Sequence, residues 1–271
     1  MLLSQGQYYI LRPDYLFDSP IIAAIIIVMT FIFGACIGSF LNVCIIRIPL
    51  GESLVKKSSH CMTCGEPIKW YDLIPILSWV ILGGKCRGCK EKISGRYALV
   101  ESLTGIIAVT TLLRFGISAG FFINMIYFSL LVVIGFTDWD TQEMMIVELL
   151  AVGILAVPAF LFIPDSATLI ERLIGAAVIS IPFLIIALIT KGIGMGDVIL
   201  MACAGAFLGY KAVIAATFIG IVTAAIAGII IKFSTKLSKI AFGPWLCIGL
   251  YFGAMFGTEM FNWYLMLLKP H

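Results

Sequence analysis

Residues 21–46 read IIAAIIIVMTFIFGACIGSFLNVCII, a run without one charged side chain. It is longer than the about 20 residues a helix needs to cross the hydrocarbon core of a bilayer. Its lack of a charged face sets it apart from an amphipathic surface helix. It also outruns the h-region of a cleavable signal peptide, and Asp14 and Asp18 precede it, so it is expected to stay as a first membrane span with 1–20 as an exterior segment.

Similar runs follow along the chain. Apolar stretches at 97–114, 120–137, 144–163, 171–190, 197–210, 212–232 and 241–267 bring the expected number of spans to eight, the sixth being short and rich in Gly and Ala. Of the 271 residues 61% are hydrophobic and only 12% charged, against about 25% charged in soluble domains. A soluble enzyme is excluded. The expected fold is an all-α polytopic membrane protein whose first helix, 21–45, is followed by a polar loop over 46–96 and a helical bundle over 97–271.

The basic residues orient it. Nine of the 18 Lys and Arg (Arg47, Lys56, Lys57, Lys69, Lys85, Arg87, Lys90, Lys92 and Arg96) lie in the 46–96 loop. Placing that loop in the cytoplasm also brings Lys191, Lys232, Lys236 and Lys239 inside, 13 basic residues in and five out. Both termini then face the exterior. The same residues need no nucleic acid to explain them, because the loop has no basic stripe with interleaved stacking aromatics.

The eight cysteines are of two kinds. Cys36, Cys44, Cys203 and Cys247 sit singly in apolar runs and read as small buried hydrophobes. Cys61, Cys64, Cys86 and Cys89 form two Cys-x-x-Cys pairs 21 residues apart, with Gly65 and Gly88 as candidate turn residues. On a cytoplasmic loop disulfides are disfavoured, and four thiolates at this spacing suit a closed tetrahedral zinc site that would tie the loop together. An iron–sulfur or redox role is the alternative. His60 reads as a solvated neighbour. Between the pairs, the segment Trp70 to Trp79 brings aromatic and apolar residues into a charged loop, as membrane-interface anchors or as a substrate or cofactor groove.

Two acids carry the remaining chemistry. Asp138 ends the third run, in Thr137-Asp138-Trp139-Asp140, and Asp197 precedes the sixth, in Gly194-Met195-Gly196-Asp197. The topology above puts both at the cytoplasmic rim although 58 residues separate them. Gly194 and Gly196 allow a bend or close approach beside Asp197, and a helix N-terminus favours a carboxylate there. Two neighbouring carboxylates can share a proton, one acting as base and the other as acid, which is the chemistry of aspartyl proteolysis. Asp140 points about 200° away from Asp138 on a helix, and Asp138 lies nearer the apolar span. No His-Glu-x-x-His, Gly-x-Ser-x-Gly, Walker A or Rossmann pattern occurs. A transporter would want ionisable groups at mid-depth and internal repeats; a scaffold docking partners through its loop would leave the paired acids without a role.

On these residues the chain resembles the type IV prepilin leader peptidase and N-methyltransferase family. The likeness runs through Gly38-Ser39-Phe40-Leu41-Asn42-Val43-Cys44-Ile45-Ile46-Arg47-Ile48-Pro49, the two cysteine pairs around Pro67-Ile68-Lys69-Trp70-Tyr71-Asp72-Leu73-Ile74-Pro75, and Ser94-Gly95-Arg96-Tyr97 with Glu101. It continues in Asp138-Trp139-Asp140-Thr141 and Gly194-Met195-Gly196-Asp197. Gly-x-Gly-Asp alone would also suit presenilin-like intramembrane proteases. The resemblance implies an inner-membrane enzyme that cuts the leader of type IV prepilins or type II secretion pseudopilins on the cytoplasmic side, after a glycine, with Asp138 and Asp197. It also implies methylation of the new α-amine from S-adenosylmethionine through the cysteine-bearing loop, with Asn42, Arg47, Trp70, Tyr71, Arg96 and Glu101 as candidate residues. A peptidase without the second activity is the rival reading. The chain departs from the family at Met144-Met145-Ile146, where Leu-Pro-Asp is usual, and at Ile199, where a lysine is usual; neither departure removes a dyad aspartate.

Overall fold

The computed structural model describes residues 9–11, 19–55, 59–163, 167–190, 192–234 and 241–268. Most of the expected exterior segment 1–20, and Lys56, Lys57, Lys191, Lys236 and Lys239, lie outside them. The chain divides into two compact units between Ile117 and Ser118. Strand among the described residues is confined to Tyr9–Leu11 and Ile117–Ser118.

In the first unit, helix α1 (Pro20–Arg47) packs on α3 (Arg96–Phe115), with the short α2 (Leu77–Ile81) in the loop that joins them. Small residues bring α1 and α3 together. A Cβ added to Gly34 would fall 2.6 Å from Ala108 Cβ, and one added to Gly38 would fall 2.7 Å from the Glu101 Cα. In a bilayer such close backbone approach gives packing and dispersion contacts where no hydrophobic drive exists between helices.

The second unit holds α4 (Ala119–Thr141), α5 (Ile146–Ile154), α6 (Ala156–Phe162), α7 (Leu169–Val178), α8 (Ser180–Thr190), α9 (Met195–Leu208), α10 (Tyr210–Ser234) and α11 (Gly243–Leu267). Prolines explain the two interrupted runs. Pro158 cannot bond the carbonyl of Ile154, where α5 ends, and Pro182 cannot bond that of Val178, where α7 ends. The α5–α6 and α7–α8 pairs are therefore each one interrupted helical run, and among the described residues the eight expected runs appear as eight helical rods.

Five of these, Pro20–Arg47, Arg96–Phe115, Ala119–Thr141, Leu169–Thr190 and Tyr210–Phe233, are long and apolar enough to cross a membrane on their own; Ile146–Phe162 and Met195–Leu208 are shorter. At 14 residues α9 rises about 21 Å, short of the about 30 Å hydrocarbon core. It sits among its neighbours instead, touching α5, α6, α7, α8, α10 and α11. The α7–α9 crossing is closed by glycines, since a Cβ on Gly205 would meet the Gly175 carbonyl oxygen at 2.1 Å. At the far end of α9, the buried Arg172 of α7 donates to the Ala206 carbonyl at 3.0 Å and so satisfies a carbonyl of the helix's last turn. Glu171 beside it pairs with Lys211 at 2.9 Å. Outward-facing Ile21, Ile170, Leu188 and Ile189 leave an apolar exterior suited to lipid.

Candidate active site and metal centre

Helix α4 ends where Gln142 turns left-handed (φ 56°) and its N–H caps the Asp138 carbonyl at 2.9 Å. In the turn before that end, Asp138 is buried, only 6% exposed, whereas Trp139 and Asp140 are exposed. Helical geometry thus turns Asp138 inward and its competitor outward. The Asp138 Oδ2 accepts a 3.0 Å hydrogen bond from the backbone N–H of Gly243, the first residue of α11. A side chain at that position would crowd the site: a Cβ there would lie 2.6 Å from Asp138 Oδ2 and 2.3 Å from Met144 Cε, so one of them would have to move.

Asp197 lies in the first turn of α9. Its Oδ2 accepts from the Gly194 N–H at 3.2 Å, the reach-back half of a capping box, with glycine in the N-cap place. Its Oδ1 is buried and has no hydrogen-bond partner, and the residue is 7% exposed. Asp138 and Asp197 are close enough to act on one another electrostatically. Met144 links their supports, for its side chain touches both Gly243 and Gly196, where an added Cβ would be 3.0 Å from Met144 Cβ. Gly194 and Gly196 therefore serve differently: one supplies an amide, the other room for Met144.

Three residues of this region have little in the sequence to mark their part in the site. Gly243 is announced only by the Gly-Pro opening of a helix. Met144 stands out only as a departure from the family pattern, and Glu148 looks like an ordinary member of an apolar run. Glu148 is 2% exposed and neither of its carboxyl oxygens has a partner. Of the four lone cysteines expected to be buried, Cys44 and Cys247 are, Cys203 is half-buried, and Cys36 is exposed because it lies on the outward face of α1; Cys247 lies within electrostatic reach of Asp138, Asp197 and Glu148 together, and Gly135 packs against its side chain.

In the other unit, the Sγ atoms of Cys61, Cys64, Cys86 and Cys89 all lie within 4.8 Å of one another, with Cys61 and Cys89 3.8 Å apart. Sulfurs bonded to one tetrahedral ion at about 2.3 Å are roughly 3.8 Å apart, so the four thiols are grouped closely enough to hold a metal ion. Each pair is a small hairpin of the same design. The Cys61 N–H bonds the Glu66 carbonyl and the Gly65 N–H bonds the Cys61 carbonyl, while Cys86 pairs with Glu91 and Lys90 with Cys86 in the same way. The left-handed residue is Gly65 (φ 71°) in the first hairpin and Lys90 (φ 61°) in the second. Gly88, expected as the second turn residue, instead makes room for the Glu66 carboxylate, which would meet a Cβ there. His60 is exposed and stands outside the thiol cluster. Hydrogen bonds from the Cys64 and Thr63 backbone hold the Cys61 thiol down to about 6. The Glu91 backbone also lowers Cys89, but desolvation and the surrounding thiols outweigh it and push that thiol up to about 12.

The six residues implicated by resemblance in methylation fall in three places. Trp70 and Tyr71 open a 3-10 turn, Trp70–Leu73, which Asp72 ties to the second hairpin through a two-pronged ion pair with Arg87 (2.6 and 2.8 Å). That pair holds the Asp72 carboxyl below its ordinary range, and Arg87 also lies over the Tyr71 ring at 5.3 Å. Arg47, at the end of α1, donates to the Ser53 carbonyl at 3.2 Å. Asn42 and Glu101 are buried in the α1–α3 packing, where Asn42 donates to the Tyr97 carbonyl (3.1 Å) and Glu101 accepts from the Ile76 N–H (2.7 Å), while Arg96 opens α3. Trp70, Leu77, Val80 and Ile81 are exposed on the loop, an apolar edge suited to a membrane interface.

A membrane helix bundle with two inward carboxylates, joined to a helix pair that carries a four-thiol loop, is the arrangement of a membrane-embedded peptidase with an accessory domain. Residues 32–115 match the bacterial peptidase A24 N-terminal domain, and residues 125–229 match the type IV leader peptidase family. The chain belongs to that family. A prepilin leader peptidase/N-methyltransferase of Aeromonas salmonicida is 30% identical over 270 residues, covering 88% of this chain and 93% of the relative. One of Bacillus subtilis is 31% identical over 242 residues, covering 88% and 97%. One of Myxococcus xanthus is 36% identical over 214 residues, covering 77% of this chain and 64% of that longer relative. No solved structure gives a significant match.

Proposed function

We propose that this chain is a bifunctional enzyme of the bacterial inner membrane that removes the leader of type IV prepilins or pseudopilins and then methylates the new N-terminus. The observation that carries the first activity is the burial of Asp138 and Asp197, from helix ends far apart in sequence, within electrostatic reach of each other. One carboxylate, ionised, takes a proton from water; the water oxygen attacks the scissile carbonyl carbon while the other, protonated, carboxyl donates a hydrogen bond to the carbonyl oxygen. Collapse of the tetrahedral adduct breaks the C–N bond, and the leaving amine takes up the proton held by the base. The amides of Gly243 and Gly194 hold one oxygen of each carboxyl, which leaves the other oxygen of each for this work.

In this reading both aspartates lie at the cytoplasmic rim, both termini face the exterior, and the substrate's apolar helix enters from the lipid. Zinc is the metal that four thiolates suit best, held by Cys61, Cys64, Cys86 and Cys89 as a structural ion that ties the loop 46–96. S-adenosylmethionine, when bound, would supply an electrophilic methyl group for the new α-amine. The helices of 97–271 carry the peptidase, and the loop with Asn42, Arg47, Trp70, Tyr71, Arg96 and Glu101 serves methylation.

The test is intact-mass measurement of a type IV prepilin incubated in detergent with this protein and S-adenosylmethionine. Leader loss plus about 14 Da supports both activities. Cleavage without added mass leaves a peptidase with a structural loop, and Asp138→Asn or Asp197→Asn that still cleave refute the dyad.

A further inference from the structure

Between the cysteine pairs the backbone makes one costly turn. Ile76 has φ 62° and ψ −53°, and the Leu77 N–H bonds back to the Pro75 carbonyl at 2.5 Å, closing a three-residue γ-turn of the rare positive-φ kind. A β-branched residue is among the least suited to that region. Strained backbone persists only where its surroundings over-determine it, and here the restraint is visible. Glu101 Oε2 accepts from the Ile76 N–H at 2.7 Å.

Glu101 is well placed to act as an anchor. It is buried at 8% exposure on α3, and its Cα lies against Gly38 of α1. The turn it holds separates two parts of the loop. Before it, Trp70–Leu73 is tied to the second cysteine hairpin through Asp72 and Arg87. After it, α2 carries Trp79, whose Nε1 donates to the Ile93 carbonyl at 3.2 Å and whose ring lies against Gly84. The angle between these parts is set at Ile76, so a rigid membrane helix fixes the orientation of the aromatic segment through one carboxylate.

We propose that Glu101 is a positioning residue for methyl transfer: it holds Ile76 in the γ-turn and so orients the segment Trp70 to Trp79, without itself touching the methyl donor or the amine. This rests on the reading that the loop serves methylation. The test uses the full chain in detergent, a pilin already freed of its leader, and S-adenosylmethionine, with methylation read by intact mass and with leader cleavage, metal content and thermal midpoint read on the same preparations. Glu101→Ala is expected to slow methylation about 100-fold while the other readouts hold. Glycine adopts this backbone conformation without strain, so adding Ile76→Gly to Glu101→Ala is expected to restore methylation to within about tenfold of the wild type. Glu101→Gln, which keeps an acceptor oxygen for the Ile76 N–H, is expected to stay above the alanine variant and replaces it if the latter fails to fold. A double variant as slow as Glu101→Ala alone, or a Glu101→Ala that methylates normally, overturns the proposal. A wild-type chain that cleaves but adds no methyl group overturns the underlying reading of the loop, and the proposal with it.

Discussion

The Asp138 carboxylate accepts its hydrogen bond from the amide of Gly243, 105 residues away in sequence, at the first turn of the last helix. The donor is main chain and so fixed by the fold, and the contact lies where the helix dipole favours negative charge. Gly243→Ala would place a methyl group 2.6 Å from Asp138 Oδ2. Displacement of a catalytic group by about 1 Å can cost roughly 100-fold. Leader cleavage by this variant is expected to fall by about that factor, with methylation of a pre-cleaved pilin preserved, as read by intact mass.

Asp138 and Asp140 make a matched pair for mutation. Asp140→Asn, on the exposed side of α4, is expected to keep cleavage within about threefold of the wild type, while Asp138→Asn abolishes it. Initial rates on one prepilin preparation distinguish them, and equal losses would remove the assignment of Asp138.

Glu148 is buried with neither carboxyl oxygen hydrogen-bonded. Replacing such a group by an apolar one of similar size relieves a desolvation cost of about 1–3 kcal/mol. Glu148→Leu is therefore expected to raise the thermal midpoint in detergent by a few degrees. A lower midpoint would mean that the carboxyl carries a supporting interaction.

Metal retention is expected to depend on pH in one direction. With the Cys61 thiol held near 6, its thiolate is available at neutral pH and is lost as the pH falls through that value, when protons compete with the ion. A thiol whose folded value is depressed favours the folded loop above its unfolded value of 9.0 and gives up that contribution on acidification. Bound metal, followed by elemental analysis after dialysis, should be retained at neutral to mildly alkaline pH and released progressively on acidification, as protons compete with the ion for the thiolates; Cys61→Ala should lose it at every pH.

Lys90 occupies the left-handed place that Gly65 occupies in the first hairpin. Relieving a lysine of that conformation is worth about 1 kcal/mol. Lys90→Gly is expected to make the loop harder to strip with a chelator, and Gly65→Lys easier, both measured as metal release against time.

Much of this molecule is legible in residue types and spacing. A bilayer offers no partner for unpaired backbone groups, so an uncharged run such as 21–46 has to be helical, and the helices lie where the apolar runs do. Two Cys-x-x-Cys pairs locate the thiol cluster, because local geometry brings the two thiols of each pair onto one hairpin, whereas the breaks at Pro158 and Pro182 interrupt runs that hydropathy alone reads as continuous. Periodicity alone also separates Asp138 from Asp140. Other features depend on residues whose chemistry is silent. Gly243 works by lacking a Cβ and by offering an amide, Met144 by filling the space between two glycines, and Glu101 by meeting Ile76, whose strained turn no propensity foretells. Sequence alone determined the helical membrane architecture, the four-thiol cluster and the candidate acids, since hydropathy, spacing and side-chain chemistry are local properties. Which amide orients each acid, which carboxylate bends the loop and which glycines let helices touch were decided only by the tertiary structure, because those depend on distances between segments that the chain order does not contain.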